Sequence, residues 1–296
     1  MPCRAPKWLL ALAALACQVP AHALELTLEP VARALRVDAP VTRPDQLPHS
    51  TVTVGRGPIR AAWLAAPTDR YAHAVLGDGL EAAQLRIESA NGQTHVATLP
   101  ATRVFEDLVP RLVALDGAGD DAVMVVESEA GAGAALTLWR FDGVALVRHA
   151  ASDLIGQPNR WLNPLGAGDF DGDGQLDLAA VLTPHLGGVL TLYHITPPRL
   201  IPFARTGDVS THRLGSTALG LGQVVRVGDR DALLVPDQHH RRLQLLRWDG
   251  QWQRLASVAL PARIDGALQA DGTDRWRLPL DDGRQFRLRL VRDRRM

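Results

Sequence analysis

The feature of this 296-residue chain that most constrains its fold is a repeated pattern of an acidic residue, a short apolar run and a polar turn. The acidic residues that begin the copies are Glu81, Asp121, Asp177, Asp231 and Asp274. Successive copies begin 40, 56, 54 and 43 residues apart. Repeats of this length with several strands each are typical of β-propeller blades or of a similar array. The pattern therefore predicts an all-β fold built from repeated units.

A second apolar run follows the first in most copies, as expected for the next strand of a repeated unit. These runs are 136–139, 190–193, 243–246 and 286–290. The spacing predicts a β-propeller of about five blades, with six as the alternative if residues 30–58 form an irregular blade. Residues 24–29 contain leucines alternating with polar residues, as in a half-buried strand. We expect this N-terminal strand to complete the last blade and close the ring, because closure removes exposed sheet edges.

One copy is preceded by an acidic loop, Asp-Phe-Asp-Gly-Asp-Gly-Gln-Leu-Asp, at residues 169–177. Ca²⁺ binds about six to eight hard oxygen atoms, and alternate residues of a tight loop can direct carboxylates toward one ion. Gly174 permits the turn that a side chain would obstruct. The residues expected to supply oxygens, through a backbone carbonyl in the case of the glutamine, are Asp169, Asp171, Asp173, Gln175 and Asp177.

The loop differs from an EF-hand, because its twelfth position is Ala180 rather than glutamate and its flanks are not helical. The apolar run 178–182 is typical of a buried strand, so the loop is predicted to join two strands. Four converging carboxylates would repel each other without a cation. We therefore predict one Ca²⁺ site, and the alternative is an acidic hairpin turn without a metal.

This segment resembles an FG-GAP or VCBS repeat, the calcium-loop blade of integrin-α-like β-propellers and of many secreted bacterial proteins. The resemblance is strong over about residues 161–195 and weaker over about residues 60–290. It implies a secreted, calcium-binding propeller that binds a protein or a glycan and performs no catalysis.

The other copies retain less of the calcium loop. The copy at 116–121 keeps its glycines, but it is one residue shorter and lacks a carboxylate at the place of Asp173. Calcium affinity follows the charge of the ligand set. We expect one firm site and, at Asp116 and Asp121, a weak second candidate.

The N-terminal residues 1–23 have the pattern of a secretory signal peptide. Basic residues precede the apolar run 8–16, and small residues mark a cleavage site after Ala23. We expect a periplasmic or secreted protein whose mature chain, 24–296, is a single domain. Cleavage there would remove both cysteines, and lipid anchoring through Cys17 is the minor alternative.

The charge balance of the chain bears on its partners. The sequence contains 32 lysines and arginines and 32 aspartates and glutamates, so there is no basic excess for nucleic acid. No apolar run is long enough for a transmembrane helix. We expect a monomer whose partner is a protein or a carbohydrate.

The histidines suggest a rim of polar loops. His185 and His239 each stand eight residues past the acid of their copy, which predicts equivalent turns at one rim. His212 and Arg160 precede the first strands of two blades, and Asp237 is near His239. We give these five residues as a candidate rim for a polar ligand, and the alternative is that they are ordinary loop residues.

Three functions remain open from the sequence. The first is a non-catalytic, calcium-binding interaction module. The second is an extracellular polymer-degrading enzyme with its site on the central face, although the sequence has no recognisable nucleophile or zinc-protease motif. The third is a structural component of the cell envelope.

Overall fold

The computed structural model describes residues 24–31, 40–71 and 73–292. The predicted signal peptide and Cys17 lie outside these residues. The described residues form β-strands, turns and loops without a helix, which confirms the all-β class. Accordingly, no helix in the described ranges has the length and hydrophobicity of a membrane span.

The strands are arranged as successive antiparallel units of four. The N-terminal strand is β1 (Leu24–Pro30). The first unit contains β2 (Thr53–Val54), β3 (Ile59–Thr68), β4 (Glu81–Ser89) and β5 (Thr94–Thr98). A short strand, β6 (Arg103–Phe105), pairs with both β4 and the second unit. The second unit contains β7 (Arg111–Val113), β8 (Ala122–Glu129), β9 (Gly133–Phe141) and β10 (Leu146–Ala151).

The later units repeat this arrangement. The third contains β11 (Leu162–Gly168), β12 (Asp177–Leu182), β13 (Val189–Thr196) and β14 (Arg199–Thr206). The fourth contains β15 (Gln223–Val227), β16 (Arg230–Pro236), β17 (Arg242–Trp248) and β18 (Trp252–Ala259). The fifth contains β19 (Gln269–Ala270), β20 (Arg275–Pro279), β21 (Gln285–Arg292) and β1.

The N-terminal strand pairs with the C-terminal strand, as the sequence predicts. β1 runs antiparallel to β21, with Leu26 opposite Leu290 and Leu28 opposite Leu288. Leu26 is buried, and Leu24 and Leu28 pack partly buried against the same apolar cluster. The alternating leucines thus cover the apolar face of the fifth unit, because side chains two residues apart share one face of a strand.

Apolar layers separate consecutive units. One cluster joins the first three units, a second joins the third to the fourth, and a third joins the fourth to the fifth. The second strands of the middle units are therefore buried on both faces, which explains their continuous apolar runs. Four-stranded antiparallel sheets that stack face to face in chain order identify the fold as a β-propeller.

The number of blades and the closure of the ring stay predictions. Five four-stranded units are present in the described ranges. Residues 40–58 contribute β2 and an isolated bridge between Gln46 and Ala65, both to the first unit. Residues 32–39, which belong to the segment of the six-blade alternative, lie outside the described residues.

Strand direction sorts the loops onto two opposite faces. In each unit, the turns between strands one and two and between strands three and four lie on one face. The turn between strands two and three lies on the opposite face, together with the connection to the next unit. The acidic loop before β12 is on the first face, whereas the turns that carry His185 and His239 are on the second.

Candidate functional site

The acidic loop joins two antiparallel strands, β11 and β12, as predicted. Phe170 is buried in the apolar layer between the third and fourth units, so it anchors the loop, whose residues 172–175 are exposed. Gly174 has a φ of +83° and Gly172 a φ of +82°. This left-handed region is strained for most side chains, which explains both glycines.

Three carboxylates of the loop converge. Asp169, Asp171 and Asp173 each have one oxygen atom within 4.8 Å of an oxygen atom of the other two. Oxygens bound to one Ca²⁺ lie about 2.3–2.6 Å from the ion, so two of them are at most about 5 Å apart. The oxygen chemistry and the spacing of this set therefore fit a Ca²⁺ ion.

The same carboxylates also hold the loop backbone. Asp169 accepts hydrogen bonds from the Gly172 amide at 2.7 Å and the Gly174 amide at 3.2 Å. Asp171 accepts one from the Asp173 amide at 3.1 Å, and Asp173 accepts one from the Gln175 amide at 2.7 Å. Such local bonds between side chain and backbone shape a tight turn, and they order the carboxylates before any ion binds.

Asp177, the last predicted ligand, is buried and shared among several partners. One carboxylate oxygen accepts the Phe170 amide at 3.2 Å, and the other lies 3.0 Å from Nδ1 of His194. Burial raises the pKa of Asp177, while the hydrogen bond from His194 opposes that rise. Asp171, Asp177 and His194 form a second group with ligand atoms within 4.8 Å.

The sequence analysis missed His194. This residue lies directly opposite Asp177 in the β12–β13 ladder, and its ring stacks on Phe203 at a centroid distance of 4.0 Å. The pairing depends on strand register, which the spacing of the copies indicates only roughly. Counting the residues of the 183–188 turn gives the register of β12 on β13, and this register would have placed His194 opposite Asp177.

The fourth unit supports the loop from the side. Asp231 accepts a hydrogen bond from the Asp169 amide at 2.9 Å, and Arg230 donates one to the Phe170 carbonyl at 3.3 Å. A Cβ atom on Gly172 would lie 2.6 Å from Cζ of Arg230. A side chain at position 172 would therefore displace the Arg230 guanidinium, in addition to the strain of its φ angle.

In the weaker candidate loop, an arginine side chain lies beside the carboxylates. Nε of Arg140 lies 3.0 Å from Asp121, and its Nη2 lies 3.4 Å from Asp116. Asp121 also accepts the Leu115 amide at 2.7 Å, as Asp177 accepts Phe170 in the stronger loop. Among the described residues, two groups of three histidines or acids have ligand atoms within 4.8 Å of one another, and both contain Asp171. Asp116 belongs to neither group.

On the opposite face, His185, His212 and His239 line one cleft of about 330 Å³ together with His240. Nε2 of His185 is 2.6 Å from Nδ1 of His212, and Nε2 of His212 is 2.7 Å from the Ser216 carbonyl oxygen. Burial lowers the pKa of His185 to about 3 and that of His212 to about 4. Both rings are therefore neutral at pH 7.

The other two rim candidates have local roles. Asp237 accepts hydrogen bonds from the Arg241 amide at 2.8 Å and the Arg242 amide at 3.1 Å, so it caps the turn. Arg160 donates to the neighbouring Asn159 carbonyl at 3.1 Å and is not among the described residues that line the cleft.

A buried group of acids in the first unit was not recognised as a cluster from the sequence. Glu106 lies 2.5 Å from His73 and accepts a hydrogen bond from Ser128. Glu81 is 1% exposed, and neither of its carboxylate oxygens has a hydrogen-bond partner among the described residues. Burial, followed by the charge of Glu106, raises the pKa of Glu81 to about 10.

Comparisons with known proteins give a likeness at the level of fold. No family model and no curated protein matches the sequence. The WD40 domain of Toxoplasma gondii coronin is 10% identical over 79% of this chain, with a TM-score of 0.41, and this chain covers 57% of it. BBS1N, in complex with ARL6DN and soaked with lead, is 13% identical with a TM-score of 0.38 over 82% of this chain and 80% of BBS1N. No ligand or activity transfers from similarities this distant.

Proposed function

We propose that this chain is a calcium-binding β-propeller of the FG-GAP or VCBS type, which acts in the periplasm or outside the cell as a non-catalytic binding module for a protein or a glycan. The observation that carries the proposal is the convergence of Asp169, Asp171 and Asp173 within 4.8 Å in a loop between two strands. The export pattern of residues 1–23 supports the location.

The calcium loop would act as a structural clamp. The loop spans the edge between the third and fourth units, since Asp231 binds its backbone and Phe170 is buried between the two. An ion that binds the native state alone would stabilise it by about 2.7 kcal/mol at one hundred times its dissociation constant. Calcium would therefore hold this edge of the propeller rigid and keep the loops between the two units in place for a partner.

The neutral histidines favour binding over catalysis. A general acid or base works best when its pKa is near the operating pH. The His185 pKa of about 3 and the His212 pKa of about 4 are far below that range. Their mutual hydrogen bond and the Ser216 carbonyl fix both rings, so they act as rigid walls of a cleft.

Partner capture with and without calcium tests the proposal. Immobilised mature protein, wild type and Asp171→Ala, would be incubated with the periplasmic and secreted fractions of the source organism. We expect the wild type to retain a specific protein or glycan in calcium, and to lose it in EDTA. The Asp171→Ala variant should lose it under both conditions. Capture that is equal in all four arms would contradict a calcium-supported binding role, and turnover of a retained polymer would contradict the non-catalytic role.

A further inference from the structure

The cleft on the face opposite the acidic loop has an unusual charge composition. Four histidines and two arginines line it, and its described lining contains no carboxylate. The whole chain has equal numbers of basic and acidic residues, so the charge composition of the lining differs from that of the chain as a whole. The charged and imidazole residues are His185, His212, Arg213, His239, His240 and Arg263.

Most polar groups of this cleft already have partners within the fold. His185 and His212 contact each other through Nε2 and Nδ1, Nε2 of His212 contacts the Ser216 carbonyl oxygen, and Nε2 of His240 lies 2.8 Å from the Ser210 hydroxyl. The Arg213 guanidinium pairs with Asp265. These contacts define the cleft walls.

Arg263 is different, because its guanidinium has no hydrogen bond or salt bridge among the described residues, although its backbone amide donates to Asp281 at 3.1 Å. The charges of Arg213 and Arg263 both act on His240 and, after burial, lower its pKa. The Asp237 carboxylate opposes them, but it is engaged by two backbone amides of its own turn. Arg213 is already paired with Asp265, so the Arg263 guanidinium is the charge of the lining left to receive an anionic group.

The surroundings of the cleft favour a peptide over a free ion. Leu214 lines the cleft and is 73% exposed, and Leu186, next to His185, is 64% exposed. Large exposed apolar side chains beside a polar pocket are a feature of protein-binding surfaces. A free oxyanion would use the arginines alone and gain nothing from the leucines.

We propose that this cleft binds an acidic peptide segment, with a glutamate or aspartate carboxylate on Arg263 and an apolar neighbour on Leu214. The proposal rests on the proposed function, for which it specifies the recognition chemistry of a protein partner. The acidic side chain would enter the cleft between Arg213 and Arg263, and the neutral imidazoles would exclude water around the ion pair.

Peptide binding to the full mature protein in calcium tests this proposal. The probe is a labelled six-residue peptide with two glutamates between leucines, and its control is the same peptide with glutamines. Fluorescence anisotropy at low salt should show binding of the glutamate peptide about tenfold or more tighter than that of the glutamine peptide. Arg263→Gln should weaken glutamate-peptide binding by about tenfold, and Leu214→Ala should weaken binding of both peptides.

The matched control is Arg254→Gln, since Arg254 is an exposed arginine of β18, outside the cleft lining. This variant should bind the glutamate peptide as the wild type does, and melting temperatures would verify that all variants fold. Equal affinity for the two peptides, or unchanged affinity in Arg263→Gln, would overturn the proposal. Displacement of the peptide by an equal concentration of inorganic phosphate would also overturn it, in favour of a free oxyanion. Absent peptide binding alongside intact calcium-dependent partner capture would refute this inference and leave the proposed function standing.

Discussion

Replacing Glu81 with glutamine should make the propeller more stable at neutral and alkaline pH. The Glu81 carboxyl group is buried in the first unit, its oxygens lack hydrogen-bond donors among the described residues, and its pKa is raised to about 10. At pH 7 it is therefore protonated in the native state. In the unfolded chain its pKa returns to the ordinary 4.5, and the group is ionised.

The size of the effect follows from this difference. Because the native state takes up a proton on folding, the cost at pH 7 is set by the gap between pH 7 and 4.5, or about 3 kcal/mol at 1.36 kcal/mol per pH unit. A raised folded pKa contributes stability that is complete below pH 4.5 and is lost as pH rises toward 10. Between pH 6 and pH 8 the loss of stability is about 3 kcal/mol. Glutamine binds no proton and removes this dependence.

Urea unfolding at pH 6, 7 and 8 measures the effect. The free energy of unfolding of Glu81→Gln should exceed that of the wild type by more at pH 8 than at pH 6. The matched control is Glu88→Gln, on the same strand, where the carboxylate is partly exposed and pairs with Arg43 at 2.7 Å. It should leave the pH dependence of the wild type almost unchanged. A Glu81→Gln protein with the same pH slope as the wild type would refute the reasoning.

Three further predictions concern the calcium loop and the N-terminal strand. Added Ca²⁺ should raise the melting temperature above that in EDTA, because the ion binds only the folded loop. Equal melting temperatures would contradict the predicted calcium site. Asp171→Ala should abolish this calcium-dependent rise, whereas Asp116→Ala should retain it, since Arg140 already pairs with the carboxylates of the second loop; equal losses would contradict the ranking of the two loops. Deletion of residues 24–29 should expose the β21 edge and lower solubility in a sedimentation assay, and a soluble monomer with unchanged melting temperature would contradict the role of β1.

Local patterns in the sequence predict much of the fold. Asp177 begins the second strand of the third unit, and Asp121 directly precedes the second strand of the second, because an apolar run after a polar turn has few alternatives to a buried strand. Glu81 also begins a strand, but β4 is the third strand of the first unit, so this copy is out of register with the others. The alternation of leucines likewise predicts that β1 covers an apolar face. These features depend on neighbours in the chain or on a single pairing.

The parts that could not be predicted depend on contacts between units or across strands. His194 contacts Asp177 through the strand register, and Asp231 binds the Asp169 amide from the next unit. Arg140 pairs with Asp116 and Asp121 only because β9 brings it to the second loop. Sequence spacing alone does not give these distances, since the first and third depend on strand register within a unit and the second on how two units pack.

The pairing of β1 with β21 has a consequence for the order of folding. Leu24 lies opposite Arg292, so residues at the start and near the end of the described chain must meet before the fifth unit has all its strands. Contacts of such long separation in sequence form slowly, because the intervening chain must be ordered first. A chain emerging from the ribosome can complete its middle units, but β1 remains without its partner until β21 has been synthesised. In pulsed hydrogen exchange during refolding, the amides of β1 and β21 should therefore gain protection together, and later than those of β12 and β13.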